Sequence, residues 1–294
     1  MQLRVIAVLL VSVALGSEQS RNEAARLLGQ ANASYAARRP QEAIRLFKEY
    51  LARYPDRPDV RVFLGAAYLN LGKTEEALRE TRRALKLDRS YSLAHTLAGR
   101  IYAQRREWDP AHKSFDEALR LNPRDREAWY FSGRAYFDEN RFGKAAEALQ
   151  QCLAVGGAQN RVYENLGLAL EELGRFREAE QSYKRAVELS AGEDGPYLAY
   201  GAFLDKQGRT VEGIQALEQA YSLNSGKVNT RFELGKALFQ SGQLAAAARI
   251  LEPALAVSDQ CRIHYLLVGI YSQQGKTEDA DRQAKAMEHC ENEP

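Results

Sequence analysis

Glycine recurs in this chain with a constant step of 34 residues. The series consists of Gly65, Gly99, Gly133, Gly167, Gly201 and Gly235. A second series keeps that step, apart from one final step of 33 residues, through Ala43, Ala77, Ala111, Ala145, Ala179, Gly213, Ala247 and Ala280. A third series of small residues is Ala84, Ala118, Cys152, Ala186, Ala220 and Ala254. A fixed period of this length indicates an array of stacked units rather than one globular core.

Each period contains two apolar helical patterns separated by a short break, which predicts a helical hairpin. We number the unit so that the three series fall at positions 8, 20 and 27. Large apolar residues then fill position 24 in most units, as Phe115, Leu149 and Tyr183 do. Glycine is frequent at the break, where a helix often ends in a left-handed residue. The sequence therefore predicts an all-α fold in which each hairpin buries its core on its neighbour.

These features resemble the tetratricopeptide-repeat (TPR) family, whose pattern of an aromatic, Leu-Gly, Tyr, Ala, an aromatic and a final Pro recurs here. Residues 24–294 divide into units starting at positions 24, 58, 92, 126, 160, 194, 228 and 261. The pattern departs at Ser34 and Tyr50 in the first unit and at Val268 in the last. In the last unit, position 24 is Ala284 and position 28 is Glu288, which predicts a terminal cap. The resemblance implies a right-handed superhelical solenoid of about eight helix-turn-helix units, with a concave groove lined mainly by the first helices.

The first sixteen residues differ in composition from the rest of the chain. Residues 1–4 are basic, and residues 5–15 are apolar apart from Ser12. This predicts a signal peptide over residues 1–16, cut after Ala14 or Gly16. The apolar run is too short for a membrane anchor. We expect a short lead at residues 17–23 before the repeats, no integral membrane segment in the mature chain, and a periplasmic or extracellular location.

The charge balance argues against a nucleic-acid partner. Lys and Arg number 41 against 39 Asp and Glu, a net charge of +2, which is far from the basic excess of a phosphate-binding surface. The sequence contains no glycine-rich phosphate loop, GxSxG elbow or HExxH helix. We therefore expect a protein that is not an enzyme and that needs no cofactor.

Three cysteines in an exported chain allow one disulfide and leave one thiol over. Cys152 stands in the third small-residue series, which predicts a small buried thiol. Cys261 and Cys290 lie at the start and the end of the last hairpin, so we expect them to be neighbours and to form a disulfide. Two alternatives remain open from the sequence: two free thiols, or a zinc site completed by His264 and His289.

The first helices supply the candidate binding residues. Position 9 carries Arg100 and Arg134 in adjacent units, and the second of these units adds Tyr130 and Phe137 at positions 5 and 12. The seventh unit has the same combination of aromatic and basic residues at these positions, Phe232, Lys236 and Phe239. Between them, an acidic stretch contains Glu164, Glu171, Glu172 and Asp205. Aromatic side chains beside arginine suit a partly apolar peptide that carries a carboxylate. The alternative is that the aromatics belong to the core and the arginines only solubilise a face.

These expectations favour an exported scaffold that binds a peptide or helix of another protein in the groove. The alternative function is a structural subunit of an envelope or secretion assembly, which docks through its convex face or its ends.

Overall fold

A computed structural model describes residues 22–257 and 261–291 of the 294-residue chain. The helices in those ranges are α1 (22–36), α2 (Pro40–Arg53), α3 (Pro58–Asn70), α4 (Thr74–Leu87), α5 (Ser92–Gln104), α6 (Trp108–Leu121), α7 (Arg126–Asp138), α8 (Phe142–Ala154), α9 (Asn160–Glu172), α10 (Phe176–Glu188), α11 (Asp194–Lys206), α12 (Thr210–Leu223), α13 (Val228–Gln240), α14 (Leu244–Leu255), α15 (Cys261–Gln273) and α16 (Thr277–Glu291). The predicted signal peptide, residues 1–16, lies outside the described residues.

The helices pair into eight hairpins, and the described ranges contain no strand. The predicted all-α fold of about eight helix-turn-helix units is therefore confirmed. None of the helices in the two described ranges combines the length and the apolar character needed to cross a membrane.

The chain forms two compact units, divided between Gly156 and Gly157. In the first unit, the second helices α2, α4 and α6 each pack on the first helix of the next hairpin, and α3, α5 and α7 also contact one another in order. The second unit repeats this arrangement, with contacts running through α9, α11, α13 and α15. Each unit thus presents a row of first helices.

Close contact inside each hairpin explains the glycine period. A Cβ atom added to Gly133 would lie 2.7 Å from Cγ of Leu149, and one added to Gly167 would lie 2.8 Å from Cε1 of Tyr183. Both distances are far below van der Waals contact. The first helix therefore needs a glycine wherever the second helix of the same hairpin points a large residue at its backbone.

The last hairpin carries the disulfide pair. Cys261 and Cys290 are bonded, with their Cα atoms 5.7 Å apart. Between them, Nδ1 of His264 and Oε1 of Gln283 form a 2.6 Å hydrogen bond that links α15 to α16. The start of α15 is thereby joined to the end of α16.

Candidate functional site

A pocket of about 500 Å³ opens on the first helices of the first unit. Its walls come from α3, α5 and α7, from the turn that joins α5 to α6, and from Trp108 at the start of α6. Its lining residues are Leu69, Asn70, Arg100, Ala103, Gln104, Arg106, Trp108, Phe131, Arg134, Ala135 and Asp138. We call this the arginine pocket. Its volume lies within the range of ligand-binding pockets in proteins.

Arg100 is held in place by an aromatic ring. Its guanidinium carbon lies 4.2 Å from the ring centroid of Phe131, a cation–π distance. Its other contact is loose, since Nη1 lies 3.9 Å from Oε2 of Glu127, whose side chain is 67% exposed. The aromatic contact therefore orients the guanidinium and leaves most of its donors available.

Arg106 and Arg134 are exposed, and their side chains form no hydrogen bond or ion pair with any residue in the described ranges. Arg106 sits in the turn with φ 58°, the left-handed conformation that glycine adopts in most of the other hairpin turns. Arg134 lies on α7, one repeat after Arg100. The pocket therefore contains two guanidinium groups with unused donors beside the oriented third.

The structure brings together two of the four residues predicted for this site. Arg100 and Arg134 line the arginine pocket, whereas Tyr130 and Phe137 do not belong to its lining. The Tyr130 ring packs edge-on against Phe131 at 5.1 Å, and the Phe137 ring packs against Phe142 at 5.3 Å.

Sequence reasoning missed the other nine lining residues, among them the cationic and aromatic side chains of Arg106, Trp108 and Phe131. Only Arg106 left a clear signal, because an arginine stands at a turn position that is glycine in most other units. Trp108 and Phe131 are half-buried residues at positions that we did not assign to the binding face.

The residues predicted in the seventh unit lie on α13, in the second compact unit. The guanidinium of Arg262 covers the Phe232 ring at 4.1 Å. Nζ of Lys236 lies 2.6 Å from Glu233 and 3.5 Å from Asp205, so its charge is already balanced. Phe239 packs against Gly269, where an added Cβ would lie 3.0 Å from the ring.

The acidic stretch of the second unit is likewise paired internally. Oε1 of Glu171 accepts a 2.8 Å hydrogen bond from Lys206, and its other oxygen accepts one from the Tyr183 hydroxyl, also at 2.8 Å. Burial first, and then the charge of Glu171, raise the pKa of Tyr183 far above its usual value. Glu164 is half-buried, and this burial raises the pKa of its carboxyl. Lysines from later repeats thus neutralise much of this face, in contrast to the arginine pocket.

Two family models, both described as tetratricopeptide repeat, match the chain, one at residues 34–101 and 206–262 and the other at residues 96–160, 132–196 and 165–228. Together the matches run from residue 34 to residue 262 without a gap. The chain belongs to the tetratricopeptide-repeat family.

Solved TPR structures share the fold at low sequence identity. A chain of the APC/C hetero-tetramer Cut9–Hcn1 matches with a TM-score of 0.67 and 16% identity, covering 91% of this chain and 53% of that one. This protein therefore spans about half the length of that chain. A TPR protein from Parabacteroides merdae ATCC 43184 matches with a TM-score of 0.61 and 17% identity, covering 83% of this chain and 97% of that one.

A third TPR structure is YrrB, described as a TPR protein with an unusual peptide-binding site. Its TM-score is 0.51 at 18% identity, covering 63% of this chain and 96% of that one. At these identities the likeness shows the fold alone. No curated protein matches the sequence.

Of the three cysteines, Cys261 and Cys290 form the disulfide and Cys152 carries a free thiol. Cys152 is buried, its thiol donates a 3.3 Å hydrogen bond to the carbonyl of Arg126, and burial raises its pKa to about 11. A thiol in this state is a poor nucleophile at neutral pH. Within the described ranges, no three or more His, Cys, Asp and Glu side chains gather in an arrangement that could hold a metal ion.

Proposed function

We propose that this protein is an exported scaffold that binds a segment of a partner protein at the arginine pocket. The TPR fold itself suggests a protein–protein interaction scaffold. Binding at the arginine pocket is proposed because its cationic side chains differ from those of the second unit in whether they already form ion pairs. The Arg106 and Arg134 side chains have no partner in the described ranges. In the second unit, by contrast, Lys206, Lys227 and Lys236 pair with Glu171, Asp194 and Asp205 respectively.

The chemistry of the pocket fits a peptide. Guanidinium groups bind carboxylates through paired, charge-assisted hydrogen bonds, and half-buried aromatic rings beside them provide apolar contact area. The row of first helices gives an extended segment or a helix a surface to lie on. The peptide-binding site named for YrrB supports the same class of ligand for this chain.

Two features support an exported location. Residues 1–16 have the composition of a secretory signal. The Cys261–Cys290 disulfide suits an oxidising compartment, because thiols are kept reduced in the cytosol. Mass spectrometry of the mature N-terminus after expression with residues 1–16 present tests cleavage after Ala14 or Gly16.

Affinity capture from the native envelope extract tests the binding site. The test variant carries Arg100→Gln and Arg134→Gln, which remove two pocket charges. The matched control carries Arg79→Gln and Arg82→Gln, which remove two exposed charges from α4 of the same unit. After both variants are shown to be folded by circular dichroism, we expect a partner that the wild type and the control retain and the test variant loses.

The alternative function, a structural subunit of an envelope or secretion assembly that docks through its convex face or its ends, is supported by a groove outside the arginine pocket. This groove of about 760 Å³ lies among α6, α7 and α8, and the Trp129 and Tyr136 side chains line it. A partner retained by the Arg100 and Arg134 variant but lost when Tyr136 is changed to Ala would favour this alternative and contradict our proposal.

A further inference from the structure

We infer that the arginine pocket recognises a partner segment in which two acidic residues lie on either side of one large apolar or aromatic residue. In this inference Arg106 and Trp108 determine the specificity. The inference rests on the proposed function, because it names the segment that the same site would bind. It adds Arg106 of the turn and Trp108 at the start of α6 to the site. It also changes the expected ligand from a peptide with a single carboxylate to one with two acidic side chains.

The charge of the pocket sets the charge of its ligand. Arg100 is loosely paired with Glu127, at 3.9 Å, and Asp138 also lines the pocket. The side chains of Arg106 and Arg134 form no ion pair in the described ranges, which leaves two guanidinium charges unpaired. A lone terminal carboxylate would balance only one of them. Two acidic side chains balance both, and electrostatic complementarity of this kind excludes partners of the wrong charge.

The three guanidinium groups enter the pocket from different places, which favours a ligand whose two carboxylates are spaced apart. Arg100 comes from α5, Arg106 from the turn after it, and Arg134 from α7 of the next hairpin, so they approach the pocket from three different elements. Each group offers several N–H donors in a fixed planar fork, which matches a carboxylate. Two carboxylates held apart by an intervening residue can each meet a different fork.

Apolar lining residues provide the place for the intervening side chain. Trp108 and Phe131 are half-buried, and Leu69, Ala103 and Ala135 also line the pocket. Aromatic rings beside guanidinium groups make a surface that favours an aromatic or other large apolar side chain. The amides of Asn70 and Gln104 are available to the ligand's backbone at the rim.

The turn conformation of Arg106 provides a variant that separates binding from folding. Arg106 has φ 58°, in the region that glycine adopts without strain, so Arg106→Gly removes the side chain and relieves the backbone. Arg38 holds the same turn position in the first hairpin with φ 56° and does not line the pocket. Arg38→Gly is therefore a matched control with the same backbone change.

The fluorescence of Trp108 reports occupancy of the pocket. The chain has two tryptophans, Trp108 and Trp129, so a Trp129→Phe background leaves Trp108 as the only indole. The probe is acetyl-Gly-Ser-Glu-Phe-Glu-Ser-Gly-amide. The comparison peptides replace both Glu residues with Gln, in one version with an amidated C-terminus and in another with a free carboxylate.

We expect saturable titration by the acidic probe and an affinity at least about tenfold lower for both Gln peptides. Arg106→Gly and Arg134→Gln should each weaken the acidic probe by about tenfold, while Arg38→Gly stays within about twofold of the parent. Raising the salt concentration should weaken binding of the acidic probe.

Three results would overturn the inference. Equal affinity for the Gln peptide with a free carboxylate would show that a terminal group is read. Unchanged binding by Arg106→Gly would remove the turn from the site. No titration by any peptide would reject the acidic-aromatic segment, while partner capture lost with Arg100→Gln and Arg134→Gln would still support the proposed function.

Discussion

At the scale of single residues, a size rule applies within most hairpins: a glycine on the first helix faces a large side chain on the second helix. In the fourth unit Gly133 faces the buried Leu149, which fills the space that a side chain on the first helix would need. The last hairpin has the reverse arrangement in its sequence, with Val268 in place of the glycine and Ala284 in place of the large residue. The position-8 glycine is thus a packing requirement set by its partner on the second helix.

This rule predicts that a size exchange rescues a damaging substitution. Gly133→Val alone should destabilise by at least about 3 kcal/mol, since the new side chain overlaps Leu149. Leu149→Ala alone should cost about 2 to 5 kcal/mol by leaving a cavity. The double variant should be more stable than either single variant, as judged by urea unfolding.

A control variant isolates the contact from the effect of glycine in a helix. Gly143 on α8 has open space around its missing Cβ, so Gly143→Ala should stabilise by up to about 1 kcal/mol. If the double variant is less stable than both single variants, the exchange of sizes does not govern the pairing.

At the scale of elements, one side-chain position secures the connections between hairpins. Arg61, Trp129 and Arg231 each donate a hydrogen bond to a backbone carbonyl six residues earlier, at Pro55, Pro123 and Ser225 respectively. The distances are 2.9 Å for Arg61 Nη2, 2.9 Å for Trp129 and 2.8 Å for Arg231. All three side chains stand at position 4 of their unit. A long N–H donor there forms a hydrogen bond with a loop carbonyl outside the helices, which links α3, α7 and α13 to the loops that precede them.

Asp125 connects two first helices by a different route. Its Oδ1 accepts hydrogen bonds from the backbone N–H groups of Glu127 and Ala128, at 3.0 and 3.1 Å, and so caps α7. Its Oδ2 accepts a 2.8 Å hydrogen bond from the hydroxyl of Thr96 on α5. Of helices α2 to α14, α7 alone has a side-chain cap, and α7 is the helix that carries Phe131 and Arg134.

Asp125→Ala should therefore cost about 2 kcal/mol, through loss of the cap and of the bond to Thr96. Thr96→Val leaves the cap in place and removes the bond to Asp125 together with a longer 3.3 Å bond to the Ser92 carbonyl, and it should cost about 1 kcal/mol. Urea unfolding of the two variants gives the comparison, and amide exchange at Glu127 and Ala128 shows where the change is localised. Equal losses in both variants would contradict a role for the cap.

The elements were more predictable than the site. The 34-residue period of small residues predicted the hairpins, because most of its glycines face a large side chain in their own hairpin. Gly65 is the exception, since the large side chain nearest to it is Leu97 of the next hairpin. Arg100 and Arg134 were found because equivalent positions in adjacent units share a face. Arg106 and Trp108 were missed because they lie outside the first helices. They line the pocket only because the α5–α6 turn packs beside α7 of the next hairpin.

At the scale of the whole molecule, stability is distributed along the repeats, because within each compact unit the described hairpins pack on their sequence neighbours. The last hairpin is the most weakly packed, because its second helix buries few side chains. Among residues 277–290 of α16, only Ala280 is buried, whereas α14 buries Ala247, Ala248, Leu251 and Ala254. The disulfide compensates by closing the hairpin over a separation of 29 residues.

Opening that disulfide should therefore loosen α16 selectively. Replacing Cys261 and Cys290 with Ser should lower the local stability of α16 by about 3 kcal/mol in the chain-entropy model. Hydrogen exchange should then accelerate in α16 and remain unchanged in α9 to α12, because nearest-neighbour packing confines the effect. Cys152→Ala, which removes the buried free thiol, should leave exchange in α16 as it was. Acceleration throughout α9 to α16 would instead mean that the second unit unfolds as one cooperative block and that the disulfide stabilises all of it.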